Sequence, residues 1–267
     1  MKKVKIQSLR ILIQSLFLLL ALSWLAISVI GFTRSIHQFC PYAVVCFGLR
    51  WGVLLRLGGV LMSGAIIFGF AVLVSTLFWG RKFCAWLCPL GTVQEWLFSL
   101  RSRQYRFKHR LPFYADTKAD WLKYALMAAT ILLSIVGLGY VSIRLCPFYS
   151  LSLIPRIAFP GLILLILTLA ASLFVSRPWC RFLCPYGALM NVFQIAGRKA
   201  GIPRKLVKRN LERCTDCGLC SLWCPMNINI GENEYVENVN CIHCGVCAEK
   251  CPKKGTINEE SVCPKQL

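Results

Sequence analysis

The chain alternates long apolar runs with short stretches that hold nearly all of its charge. A basic start, with Lys2, Lys3, Lys5 and Arg10, leads into an apolar run from Ile11 to about Phe32. Further runs cover Val53–Trp79, Trp121–Val141 and Pro160–Val175. A hydrocarbon layer of roughly 30 Å is crossed by roughly 20 apolar residues in a helix, so the pattern predicts four transmembrane helices. The first run outlasts the 7–15 residues, approximately, of a signal-peptide core and lacks a clear A-x-A site, so it is read as an uncleaved span. Lys and Arg then orient the spans. The N-terminus carries four and the 79–120 loop eight, whereas the 31–52 and 142–158 loops carry two each. Cytoplasmic loops are the positively charged ones, which predicts a multi-pass protein of a prokaryotic cytoplasmic membrane with both termini cytoplasmic.

Composition agrees with a membrane class. Of 267 residues, 57% are hydrophobic, and the mean hydropathy is +0.59, well above soluble domains. The net charge of +20 is unevenly placed: residues 1–210 carry 26 Lys/Arg against three acids, and 211–267 carry five against eight. Basic residues that flank apolar spans read as topology signal and contact with lipid headgroups, so no nucleic-acid partner is expected. No Asp or Glu falls within a span, and no G-x-G-x-x-G or P-loop is present to hold a nucleotide. His37, His109 and His243 all lie outside the middle of the spans, so no haem is expected. Thr168 and Ser172 in the fourth span are polar groups that a helix can satisfy on its own carbonyls. Trp24, Trp51, Trp79, Trp86, Trp121 and Trp179, near span ends, read as interface anchors.

The chemistry lies in the cysteines. CTDCGLCSLWCP (Cys214–Pro225) and CIHCGVCAEKCP (Cys241–Pro252) are each a C-x2-C-x2-C-x3-C-P run, the spacing of a bacterial-type [4Fe–4S] site. In two-cluster ferredoxins the fourth Cys of each run serves the other cluster. That crossing predicts Cys214, Cys217, Cys220 and Cys251 on one cluster, and Cys241, Cys244, Cys247 and Cys224 on the other. Pro225 and Pro252 turn the chain after the fourth ligand, and Gly218 and Gly245 are read as letting the backbone approach the sulfurs. Zinc also takes paired C-x2-C spacings, but two identical four-Cys runs ending in Pro favour iron–sulfur. Reduced thiolates point to cytoplasm rather than to disulfides.

The remaining cysteines expose a duplication. RKFCAWLCPLG (Arg81–Gly91) follows the second span and RPWCRFLCPYG (Arg177–Gly187) the fourth, with Arg, Cys, Leu, Cys, Pro and Gly shared. Cys40-Pro41 and Cys146-Pro147 likewise follow the first and third spans. The repeated unit is a helical hairpin, present twice. Cys84 with Cys88, and Cys180 with Cys184, are spaced to share a helix face. They read as a candidate third redox centre or as two dithiol switches, against the bland alternative of small buried hydrophobes. Cys40, Cys46 and Cys146 on the outer side read as a structural or a redox group.

Four spans, two inner C-x3-C-P motifs and a two-cluster tail resemble the polyferredoxin membrane family, which includes the NapH-type quinol dehydrogenase component and the membrane halves of NosR and MauN. The resemblance implies electron transfer from membrane quinol through clusters to a partner iron–sulfur or reductase protein. It matches Cys84, Cys88, Cys180 and Cys184 to the family's inner motifs and the eight tail cysteines to its cluster ligands. The expected fold is therefore membrane all-α, with four transmembrane helices as two repeated hairpins (1–196), a basic connector (197–213) and a C-terminal 2[4Fe–4S] ferredoxin domain (214–267). The alternative function is a maturation or thiol/metal-reduction factor that supplies electrons to another protein's metal centre or disulfide.

Overall fold

The computed structural model describes residues 6–30, 42, 45, 60–108, 110–147 and 159–263. Cys40, Pro41, Cys46, Trp51, His37 and His109 lie outside the described residues.

Helix α1 (Ile6–Ile30) begins earlier than the apolar run and takes Gln7, Arg10 and Gln14 into its first turns. These positions recur every three or four residues and so form one polar stripe on an otherwise apolar helix. All three reach inward. Gln7 Nε2 donates to the Cys244 carbonyl at 2.7 Å, Arg10 to the same carbonyl at 3.2 Å, and Gln14 to the Ala85 carbonyl at 2.7 Å. Arg10 is thus buried inside the protein and is not a headgroup charge.

Helix α2 (Val60–Trp79) leads into the first C-x3-C-P copy, where α3 (Lys82–Trp86) is followed by α4 (Pro89–Ser99). Two short helices, α5 (Arg103–Lys108) and α6 (Phe113–Ala119), connect to α7 (Trp121–Ile135). The third expected span stops short there. Gly137 adopts φ +87°, and a separate α8 (Gly139–Arg144) follows, because a left-handed residue cannot continue a right-handed helix. Helix α9 (Phe159–Ala171) is the fourth apolar element; Thr168 within it and Ser172 just past its end donate to the carbonyls four residues back, both at 2.7 Å. One helix among the described residues, over Ile6–Ile27, is long and apolar enough to cross a membrane; Ile67–Trp79 and Pro160–Ala171 are shorter apolar helices.

The second C-x3-C-P copy forms a π-helical turn (Trp179–Leu183) and then α10 (Pro185–Lys199). The stretch expected to be a non-periodic connector contains a strand, β1 (Arg204–Arg209), at the centre of a three-stranded antiparallel sheet. It pairs β2 (Tyr235–Val236) through Val207–Val236 and β3 (Ile257–Val262) from Arg204–Val262 to Arg209–Ile257. The strand escapes sequence patterning because two of its buried positions are Arg204 and Arg209, whose long stems pack while reading as charge. Between the strands lie α11 (Leu219–Leu222) and α12 (Val246–Lys250), which carry the third cysteine of each run, Cys220 and Cys247.

The two cysteine runs share one backbone path. Asp216 and His243, each just before the second Cys, have φ +48° and +49°, and Gly218 and Gly245, just after it, have φ +69° and +72° as N-caps of α11 and α12. A Cβ on Gly218 would meet nothing within 4 Å. The left-handed φ at both positions is one that glycine adopts without the strain a Cβ would bring.

Candidate functional site

The tail cysteines sort into two groups. Cys224, Cys241, Cys244 and Cys247 line one apolar cavity with Met226, Ile230 and Ile242, and the Cys247 thiol faces Cys244, Cys241 and Cys224. Cys214, Cys217, Cys220 and Cys251 line a second cleft of about 420 Å³. Each group takes three cysteines from one run and the fourth from the other. Among the described residues no three His, Cys, Asp or Glu side chains gather closely enough for a single metal ion. Four thiols set around a space suit a group with an iron at each of several corners better than one tetrahedral ion.

The cavity group is the inner one. Burial pushes the Cys244 thiol up to about 11 and raises Cys241 and Cys247 as well, because a thiolate loses hydration there. Its loop is pinned by Gln7 and Arg10 of α1 at the Cys244 carbonyl. Trp86, which lies between Cys84 and Cys88 in sequence, points its Nε1 at the His243 carbonyl at 3.5 Å, so it packs inside the protein at this junction. The cleft group faces outward: Cys217 is exposed, and Arg110, Arg209, Arg213 and Lys253 stand around it.

The C-x3-C-P cysteines, separated by about a hundred residues, come together as a third group. Cys88 faces Cys180 and Cys84, Cys180 faces Cys84 and Cys184, and Cys184 faces Cys84 and Cys88. The shared motif residues explain how. Cys88 and Cys184 are extended N-caps at ψ 112° and 108°, and Pro89 and Pro185 occupy the first helical turn, where a missing N–H costs nothing. The Cys184 sulfur accepts from Gly187 N at 3.3 Å, and both Cys88 and Cys184 stand at the positive end of the helix they cap.

The motif arginines cross between copies. Arg81 donates to the Cys180 carbonyl at 3.2 Å, and Arg177 donates to the Cys84 carbonyl at 2.6 Å. A Cβ on Gly187 would lie 2.5 Å from an Arg81 nitrogen, and one on Gly91 would lie 3.0 Å from Arg177 and from the Cys84 carbonyl. Each glycine shared by the repeat is thus clearance for the other copy's arginine.

Both guanidinium groups are 0% exposed. Arg177 pairs with Glu95, but no carboxylate pairs with Arg81 among the described residues, and Arg81 Nε has no acceptor. Burial would lower the Arg81 guanidinium, yet Cys84, Cys184 and Cys180 outweigh it and hold it above its ordinary value. A buried charge needs a counter-charge, and four thiolates around a cluster would supply one, so this donor set fits an iron–sulfur group. Without metal, burial pushes Cys88, Cys180 and Cys184 up to about 12.

Sequence reading passed over the acids here. Glu95, Asp116 and Asp120 are the three acids of residues 1–210, and each pairs with a buried cation: Glu95 with Arg10 and Arg177, Asp116 with Arg181, and Asp120 with Lys123. Asn240 completes the last pair, donating to Asp120 at 3.1 Å and accepting from Lys123 and from Arg81. Their scarcity among 26 basic residues was the available signal.

Fold and cysteine geometry together define a protein carrying several ferredoxin-type iron–sulfur sites. A 4Fe–4S binding domain matches residues 60–108 and again 157–203, once over each C-x3-C-P copy. A 4Fe–4S dicluster domain matches residues 206–253. YccM of Escherichia coli K12, assigned by name to electron transport, is 32% identical over 189 residues, covering 67% of this chain and 51% of its own length. MJ0750 of Methanocaldococcus jannaschii is 33% identical over 174 residues, covering 64% of this chain and 69% of its own. The regulatory protein NosR of Pseudomonas aeruginosa is 30% identical over 164 residues, 56% of this chain and 21% of NosR. This chain belongs to that 4Fe–4S ferredoxin-type family, with tandem cluster-binding domains, and it spans about half the length of YccM. No solved structure matches it.

Proposed function

We propose that this is a membrane electron-transfer protein of the NapH type, which takes electrons from quinol and delivers them to a partner reductase. Clusters held at the three cysteine groups supply one-electron chemistry when bound. The observation that carries the reading is the order of those groups. The C-x3-C-P group is bonded to α1 through Gln14 at the Ala85 carbonyl, the inner tail group adjoins it through Arg10 and Trp86, and the outer tail group opens to solvent.

The residues support a path of that kind. Buried arginines offset charge at the innermost group, apolar Met226, Ile230 and Ile242 keep water from the second, and Cys217 brings the third to the surface. Membrane placement is supported by large apolar side chains facing outward along α1, α2 and α9, among them Leu12, Leu19, Phe70, Ile163 and Leu167. Gln7 in the first turn of α1 touches the tail, which supports an N-terminus on the same side as the C-terminal domain.

Anaerobic addition of quinol to the purified protein tests this. Bleaching in the visible range with the appearance of reduced-cluster EPR signals is expected. If quinol leaves the spectrum unchanged while a copper or disulfide substrate oxidises the pre-reduced protein, the maturation reading replaces it.

A further inference from the structure

A continuous chain of hydrogen bonds and ion pairs links the C-x3-C-P group to the inner tail group. Arg177 donates to the Cys84 carbonyl at 2.6 Å and grips Glu95 through Nε, at 3.2 Å, and Nη2. The other oxygen of Glu95 holds Arg10, whose second nitrogen donates to the Cys244 carbonyl at 3.2 Å. One carboxylate therefore bridges two buried guanidinium groups, each bonded to the backbone of a cysteine in a different group. Among the described residues, the outer group contributes no side chain to the bridge.

Three observations indicate that this arrangement is built. Glu95 is one of three acids in the first 210 residues. Arg177 is held at φ +52°, a conformation that a non-glycine residue adopts only when its surroundings impose it. Gly91 leaves the clearance that the Arg177 guanidinium needs. The carboxylate remains charged: burial would raise it, but Arg177 and Arg10 outweigh burial and hold it below the usual range.

We propose that Glu95 is a positioning residue that, through Arg177 and Arg10, sets the reduction potentials of the two inner centres together and leaves the outer centre apart. The inference rests on the reading that the C-x3-C-P group holds a cluster. Charges in a water-poor interior act strongly on one another, and a cluster's potential responds to nearby charge and to hydrogen bonds. A negative charge between two negatively charged centres disfavours adding an electron to either.

The experiment is an EPR-monitored redox titration of the anaerobically purified full-length protein, with iron quantified in each sample. Glu95→Gln is expected to move the potentials of both inner centres positive, by about a tenfold change in the one-electron equilibrium (about 59 mV). The outer centre should not move, and Glu95→Asp should restore the original values. Arg10→Gln keeps a donor towards Cys244 but removes a positive charge, so it should move the inner tail centre in the negative direction. Unchanged potentials, or an equal shift of all centres, would overturn the inference. Wild-type protein with about four irons fewer than three clusters require would instead overturn the reading of the third centre, and the inference with it. If Glu95→Gln does not assemble, the sign of the Arg10→Gln shift decides alone.

Discussion

Arg81 and Cys180 belong to different copies of the repeat, yet the guanidinium of the one donates to the carbonyl of the other at 3.2 Å. Arg177 returns the bond to Cys84 at 2.6 Å. Two copies that clasp each other's cysteine loops build one shared group of four thiols, where neither copy alone would supply more than two. Arg81→Ala removes one clasp and the counter-charge with it. It is expected to lose about four irons per chain while the two tail groups keep theirs, as iron quantitation and EPR would show.

The motif glycine can be tested separately. Gly187→Ala adds a Cβ 2.5 Å from Arg81, so the buried guanidinium must shift away from its bond to the Cys180 carbonyl. The same loss from the C-x3-C-P group is expected. Gly218→Ala acts differently, through its φ of +69°. It should weaken the outer tail group by backbone strain of about 1–2 kcal/mol, seen as faster iron release to a chelator.

The crossing of the tail runs makes a paired prediction. Cys251 lines the outer cleft with Cys214, Cys217 and Cys220, and Cys224 lines the inner cavity with Cys241, Cys244 and Cys247. Cys220→Ser and Cys251→Ser should abolish the same EPR signal, and Cys224→Ser should abolish the other. If Cys220→Ser and Cys251→Ser remove different signals, the crossing is wrong.

Buried ion pairs predict a stability pattern. Lys123 is 0% exposed and bonds to Asp120 and Asn240. Asp120→Ala strands that charge and should cost about 3–5 kcal/mol. Adding Lys123→Met to it should recover most of the loss, because an apolar replacement of a buried pair is often neutral. Denaturation midpoints of the two variants check this, and equal midpoints would mean that the pair is not the origin of the cost.

Much of the site was legible in the sequence because metal-ligand spacing is local. The C-x2-C-x2-C-x3-C-P runs identify a ferredoxin-type tail, and the Arg, Cys, Pro and Gly shared by 81–91 and 177–187 identify the repeat. What lay hidden depends on contacts between distant residues. Arg10 and Arg81 read as membrane-topology charges, but the fold buries them against carbonyls and thiols. The strand at Arg204–Arg209 read as connector because basic residues occupy its buried positions. The third expected span gave no warning that Gly137 would turn left-handed, since glycine is as compatible with an apolar helix as with a break. Glu95 fell in a charged loop, and only the converging α1 and second repeat reveal its two partners.

On the proposed function, twelve cysteines form three separate iron–sulfur sites, one of them shared between the two repeats. Its most direct test is iron and acid-labile sulfide quantitation on anaerobically purified wild-type protein beside Cys84→Ser/Cys180→Ser. About twelve irons per chain are expected in the wild type and about eight in the variant. About eight in both, or stoichiometric zinc with little iron or sulfide, would contradict it.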